Sequence, residues 1–281
     1  MTGFILHPKT TEAVERLLAS RPHAAVLEGP AGSGKRELAR YLAAQITGKP
    51  DISLALREVY IVTPEGSKAV SVEQIRSIEQ FLSRKLPGNG ARVVIIESAH
   101  GMGREAQNAL LKTLEEPPAD ASIILLADSA ASLLPTVRSR AVTVRLLTPD
   151  KDELRRYYVA AGHDATAVER AILMSGGLPG LVEAILTGDE ESELTAAAEQ
   201  ARAIIQGTRF QRLALVDGLS KQRDLALHVC QLLQQMAHVR LAAGAITPQW
   251  QRIMQAAYTA EERLHTSGQP KLVLTDLMLN L

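Results

Sequence analysis

The chain has 281 residues with 31 basic and 31 acidic side chains, so its formal charge is zero and no global positive field draws it to nucleic acid. Hydrophobic residues make up 46% and charged residues 22%, which excludes a disordered chain and supports a buried core divided among two or three domains. Cys230 is the only cysteine and the 7 histidines show no ligand spacing, so neither a disulfide nor a metal site is expected.

Residues 1–7 lack the features of a signal peptide, and no apolar run approaches a membrane span, so a cytoplasmic protein without membrane contact is expected. Residues 10–19 read as a helix with Val14, Leu17 and Leu18 on one face. The apolar run 23–28 reads as a strand, residues 29–36 as a glycine-rich loop and residues 37–44 as a helix. A strand over 58–63 follows, closed by a turn at 64–66. A capped helix over 71–82 comes next, with Val72, Ile75, Ile78 and Leu82 at helical spacing. A turn at 87–90 leads into the strand 92–97, whose continuous apolar character fits a central parallel strand. A helix over 106–114, a strand over 122–127 and a strand over 141–146 complete an alternation that predicts an α/β fold, a parallel five-stranded sheet with helices on both faces.

Strand signals stop beyond residue 150. Three short helices are predicted over 152–161, 165–175 and 181–186, then a charged linker over 188–193 and longer helices beyond it. Leu225, Val229, Leu232, Met236 and Val239 form the apolar stripe of a helix over 221–243; Trp250, Ile253, Met254 and Ala257 form another, and 270–281 a last apolar segment. The expected domains are 1–148, 149–188 and 189–281, the last two all-helical.

The loop Gly29, Pro30, Ala31, Gly32, Ser33, Gly34, Lys35 and Arg36 carries the spacing of a phosphate-binding loop between strand and helix. Its glycines let backbone N–H groups curl round an anion, the helix N-terminus adds partial positive charge, and Lys35 stands where the motif's lysine meets outer phosphates. The motif asks for Ser or Thr after the lysine, to hold Mg²⁺, and the chain has Arg36. Arg36 is either an ordinary exposed helix residue or a cation filling the magnesium space. The loop either binds ATP or ADP without turnover or is a helix-entry turn without ligand.

Further along, Val93-Val-Ile-Ile-Glu-Ser-Ala-His100 resembles the acidic strand end of AAA+ ATPases. The segments 106–118 and 133–140, Leu-Leu-Pro-Thr-Val-Arg-Ser-Arg in the second, are similar to signature segments of bacterial clamp-loader subunits, as are 71–76 and 270–274. The resemblance implies an AAA+ P-loop domain, a three-helix lid and a helical collar. It also implies partners: gamma/tau and delta subunits of the DNA polymerase III clamp loader in a hetero-pentameric ring, with the sliding clamp and primer-template DNA reached through the complex. In hydrolysing relatives the strand ends in Asp-Glu. Here Glu97 and Ser98 stand there, and a hydroxyl cannot serve as the carboxylate base. The family's polar sensor falls at Asp128 or Ser129, and its lid arginine is absent around Gly176 to Gly180. Ser139-Arg140 matches the motif whose arginine enters a neighbouring subunit's ATP site.

The expectation is a non-hydrolysing stator with degenerate loop residues 29–36, a degenerate strand end at Glu97 and Ser98, Arg140 as a finger acting in trans, and no required cofactor. The alternative is a hydrolysing gamma/tau-type subunit. Glu115 and Glu116 are expected to end a helix at a subunit surface, and Arg84, Lys85 and the loop 88–90 to be solvated rather than bound to DNA.

Overall fold

Five apolar runs form one all-parallel sheet in the computed structural model, which describes residues 5–55, 57–64, 69–83, 90–188, 193–242, 247–266 and 268–281. The strands are β1 (Ala24–Glu28), β2 (Val59–Val62), β3 (Arg92–Ile96), β4 (Ala121–Ala127) and β5 (Val142–Arg145), in spatial order β2-β3-β4-β1-β5. Every residue of β1, β3 and β4 is buried, as continuous apolar strands covered on both faces require. The helices of this part are α1 (Pro8–Ser20), α2 (Lys35–Thr47), α3 (Val72–Ser83), α4 (Arg104–Glu115) and the single turn α5 (Pro135–Arg138).

Alternation along the strands sorts the core into two layers. Val26, Val94, Ile96, Ile123 and Leu125 pack with Ile75 and Ile78 of α3 and with Leu110 and Leu114 of α4. The intervening Leu27, Ile95 and Ile124 are buried in their turn, as are Leu38 and Leu42 of α2, and α2 contacts β1, β3 and β4 while α1 contacts β5. The parallel α/β class read from the sequence is the fold observed.

Local chemistry sets where the helices begin and end. Ser71 Oγ accepts from Gln74 N at 3.2 Å while Gln74 Oε1 accepts from Ser71 N at 3.0 Å, a reciprocal box that starts α3. Gly48 ends α2 with φ +68, its N–H reaching the carbonyls of Ala44 and Gln45. The helix predicted from residue 37 begins two residues earlier, because Lys35 and Arg36 already have helical backbone. The predicted turns at 64–66 and 87–90, and the pair Arg84 and Lys85, lie wholly or partly outside the described residues.

Residues 6–147 make one compact unit; a second holds the helices from Thr148 to Leu281. In the second, α6 (Lys151–Ala160), α7 (Ala165–Ser175) and α8 (Pro179–Thr187) enclose Leu154, Tyr158, Val168, Ile172 and Val182. Pro179 opens α8 two residues before the predicted start, at the position where a missing N–H costs nothing. The remaining helices are α9 (Glu193–Gln206), α10 (Arg209–Leu219), α11 (Arg223–Ala242), α12 (Pro248–His265) and α13 (Pro270–Asn280). Residues 189–192 of the expected linker lie outside the described residues, and Glu193 already belongs to α9. Arg223 Nη2 donates to the carbonyls of Leu264 and Thr266 and so satisfies the C-terminal end of α12.

Two outcomes test this packing. Leu125→Ala, in the central strand β4, removes a fully buried side chain and is expected to cost about 2–5 kcal/mol in denaturant unfolding. Cys230 is buried among α9, α11 and α12, and burial, with the nearby Glu261 charge, pushes its thiol up to about 12. Thiol reagents at pH 8 are therefore expected to label it only as fast as the helical unit opens, with full labelling in denaturant.

Candidate functional site

The C-terminal ends of the strands bring together Lys35, Arg36, Glu97 and Asp128. β1 runs into the loop at Gly29, whose N–H bonds Ala127 O at 3.1 Å. Gly32 has φ +80 and Gly34 φ +88, left-handed values that let the loop turn back onto the start of α2. Gly29 is small by necessity: a Cβ there would meet Ser33 Oγ at 3.0 Å and Leu146 Cβ at 3.2 Å. Gly34 precedes α2 without a side-chain cap, so the first-turn N–H groups have no capping side chain. Ser33 Oγ is buried inside the loop and has no hydrogen-bond partner among the described residues.

Two cations here meet two carboxylates. Lys35 Nζ donates to Gly29 O and to Asp128 Oδ1, the latter at 2.8 Å. Asp128 follows β4, and its other oxygen is 3.6 Å from His100 Nε2. Arg36 Nε lies 3.0 Å from Glu97 Oε1; the Arg36 side chain is 59% exposed and that of Glu97 8%. Ser98 follows with left-handed backbone, φ +53, and turns the chain into the short helical turn Ala99–Gly101. Ser129 is engaged locally, accepting from Ala131 N at 3.2 Å. Of the two sensor candidates, Asp128 is the one that touches Lys35.

Arg140 is at the other edge of the sheet. It precedes β5 and lines an open cavity of about 520 Å³ with Pro22, His23, Glu115 and Ser139, beside the N-terminal ends of β1 and β5. Its Nη2 is 2.9 Å from Glu115 Oε1, and its Nη1 donates to Thr136 O at 3.1 Å. The five residues of β1 separate this edge from Gly29, about 16 Å at 3.3 Å per residue. Arg140 therefore cannot serve the loop of its own chain.

Comparison with known proteins shows the family and the fold. The family described as DNA polymerase III, delta subunit matches residues 7–150. The chain belongs to that family. It is 33% identical over 221 residues to DNA polymerase III subunit delta' of Pseudomonas aeruginosa, covering 72% of this chain and 62% of that one. With the subunit delta' of Escherichia coli it shares 30% identity over 177 residues, 61% of this chain and 52% of that one. The chain thus spans between half and two thirds of the length of these two relatives. A crystal structure of a DNA polymerase III gamma subunit-related protein from Thermotoga maritima shares the fold, with a TM-score of 0.56 at 20% identity, covering 96% of this chain and 97% of that one.

For this delta family member the loop residues fit a phosphate ligand and do not fit magnesium. Among the described residues the buried Ser33 hydroxyl has no partner and the start of α2 has no capping side chain, with Lys35 beside them on Gly29 O and Asp128, whereas the position that would hold the metal carries the Arg36 guanidinium, already paired with Glu97. Among the described residues no group of three or more His, Cys, Asp or Glu side chains is placed to hold a metal ion.

The geometry adds partners that single residues did not announce. Glu28, closing β1, accepts from Ala130 N at 3.1 Å and pairs with Arg145 Nε at 3.0 Å. These two residues are opposite each other in the β1–β5 register, a relation visible only once β5 is known to lie beside β1. Glu115, read as a helix end, is the partner of Arg140. Gly34→Ala introduces no contact within 4 Å but keeps φ +88. It is expected to lower stability by about 1–2 kcal/mol in denaturant unfolding, a purely conformational cost.

Proposed function

We propose that this chain is a delta'-like stator of a DNA polymerase III clamp loader, acting in DNA replication by helping ATPase subunits load a sliding clamp on primed DNA. The observation that carries the reading is the separation of the two edges: Arg140 stands across the sheet from the chain's own phosphate loop, paired only with surface groups. Released from Glu115, a guanidinium in that place can enter a site on a neighbouring subunit, where its delocalised charge stabilises phosphoryl transfer. The chain's own loop edge supports no turnover. Arg36 occupies the hydroxyl position, Glu97 is engaged by it, and Ser98 is no carboxylate base.

In this reading residues 1–148 are the P-loop domain, 149–188 the lid and 189–281 the collar that packs against gamma/tau and delta subunits in a five-membered ring. Asp128 takes the sensor position and holds Lys35. ATP or ADP binds without being hydrolysed. DNA and clamp are met through the complex, in the cytoplasm; among the described residues no helix is long and apolar enough to cross a membrane.

The test has two parts. The purified chain alone is expected to turn over ATP no faster than a Lys35→Ala control; robust turnover lost in that control would sink the stator reading. In a reconstituted loader, Arg140→Ala is expected to slow ATP-dependent clamp loading more than about tenfold, since an arginine finger is worth about 10³–10⁵ at its own site. Unchanged loading would remove the finger assignment.

A further inference from the structure

The place that magnesium takes in the common form of the motif is filled here by the chain itself. Arg36 follows Lys35 in the first turn of α2, and its guanidinium lies 3.0 Å from the buried carboxylate of Glu97. A divalent cation drawn to Glu97 would have to break this ion pair and then sit beside a fixed positive charge. An anion meets the opposite conditions. Ser33 is 6% exposed, and its hydroxyl, buried in the loop, has no partner among the described residues. The uncapped N-terminus of α2 offers backbone donors, and Lys35 and Arg36 bring two positive charges to adjacent positions.

We propose that the loop binds a nucleoside polyphosphate without a divalent cation, Arg36 exchanging Glu97 for a phosphate and doing the work of charge neutralisation. The inference rests on the phosphate-loop reading above and deepens it. A guanidinium can contact phosphate oxygens in the two-pronged manner it uses with carboxylates, so the exchange trades one charge-assisted pair for another. Glu97 and the ligand then compete for the same cation, and the strength of the Arg36–Glu97 pair limits affinity. Because a monovalent side chain replaces a divalent ion, the ligand is held but its terminal phosphate is not activated. The same residue that supports binding removes turnover.

Calorimetric titration of the full chain with ADP, in excess EDTA and in excess Mg²⁺, tests this. The unsubstituted chain is expected to give dissociation constants within about twofold of each other in the two buffers. Arg36→Thr is expected to weaken binding in EDTA by about tenfold, and Glu97→Gln, which frees Arg36, to tighten it about threefold. Thermal melts of both variants check that each is folded. Magnesium tightening ADP on the unsubstituted chain by tenfold or more would overturn the inference and leave the phosphate loop standing. So would a folded Arg36→Thr chain that binds as well as the original in EDTA. No ADP binding in either buffer, or binding that survives Lys35→Ala, would overturn the loop reading and this inference with it.

Discussion

Parallel pairing of β1 with both β4 and β5 is the constraint on which the charged groups at both ends of the sheet depend. In that register Glu28 lies opposite Ala127 on one side and Arg145 on the other. All five strands therefore release their C-terminal ends at one edge, and Gly29, Glu97 and Asp128 gather there although 99 positions separate the first from the last. The ladder continues past the strands: Gly29 N bonds Ala127 O at 3.1 Å, Glu97 N bonds Val62 O at 2.9 Å and Leu146 N bonds Glu28 O at 2.7 Å. These bonds hold the loop and the acidic strand end in one frame. The same direction of travel sends the residues before β5, Arg140 among them, to the opposite edge. A slip of one residue in β1 would exchange its buried faces, so core packing and placement of the charges are enforced by the same contacts.

Charge balance at the loop edge is the second organising feature. Glu97 is almost wholly buried, and a buried carboxylate is tolerable only with a partner. Arg36 supplies it from the adjacent helix turn, and Asp128 in turn bonds Lys35. Each cation thus neutralises an acid while remaining within reach of the loop. A threonine at position 36 would leave Glu97 without this partner, so the acid and the arginine are intelligible only together.

Much of this was legible in the sequence, for identifiable reasons. Strands buried on both faces are continuous apolar runs, so β1, β3 and β4 stood out, and the loop was recognised by its glycine and lysine spacing. The parallel class and the clamp-loader resemblance both follow from such local signals. Pairings across long separations were not legible: Lys35 meets Asp128 only because β1 and β4 are neighbours, and Glu28 meets Arg145 only because β5 completes that side of the sheet. Helices α9 and α10 were not delimited either. The buried face of α9 is mostly alanine, Ala197, Ala198 and Ala201, which contrasts little with its surroundings and carries a weak periodic signal. Arg36 left two readings, exposed residue or replacement cation; its side chain is 59% exposed and its Nε lies 3.0 Å from Glu97 Oε1.

Ser98 joins the shape of the site to its chemistry. Left-handed backbone at a serine costs about 1 kcal/mol or more, and glycine, asparagine or aspartate would bear it more easily. The residue supplies no carboxylate in return, so its conformation is held by what it positions. The turn at Ser98 leads directly into Ala99–Gly101 and brings His100 beside Asp128. Asp128 in its turn fixes Lys35 against the loop. The backbone path after Glu97 thus holds charged side chains in place. The ion pairs Lys35–Asp128 and Arg36–Glu97 tie the first turn of α2 to the ends of β4 and β3, so the charged groups at this end of the sheet share one frame.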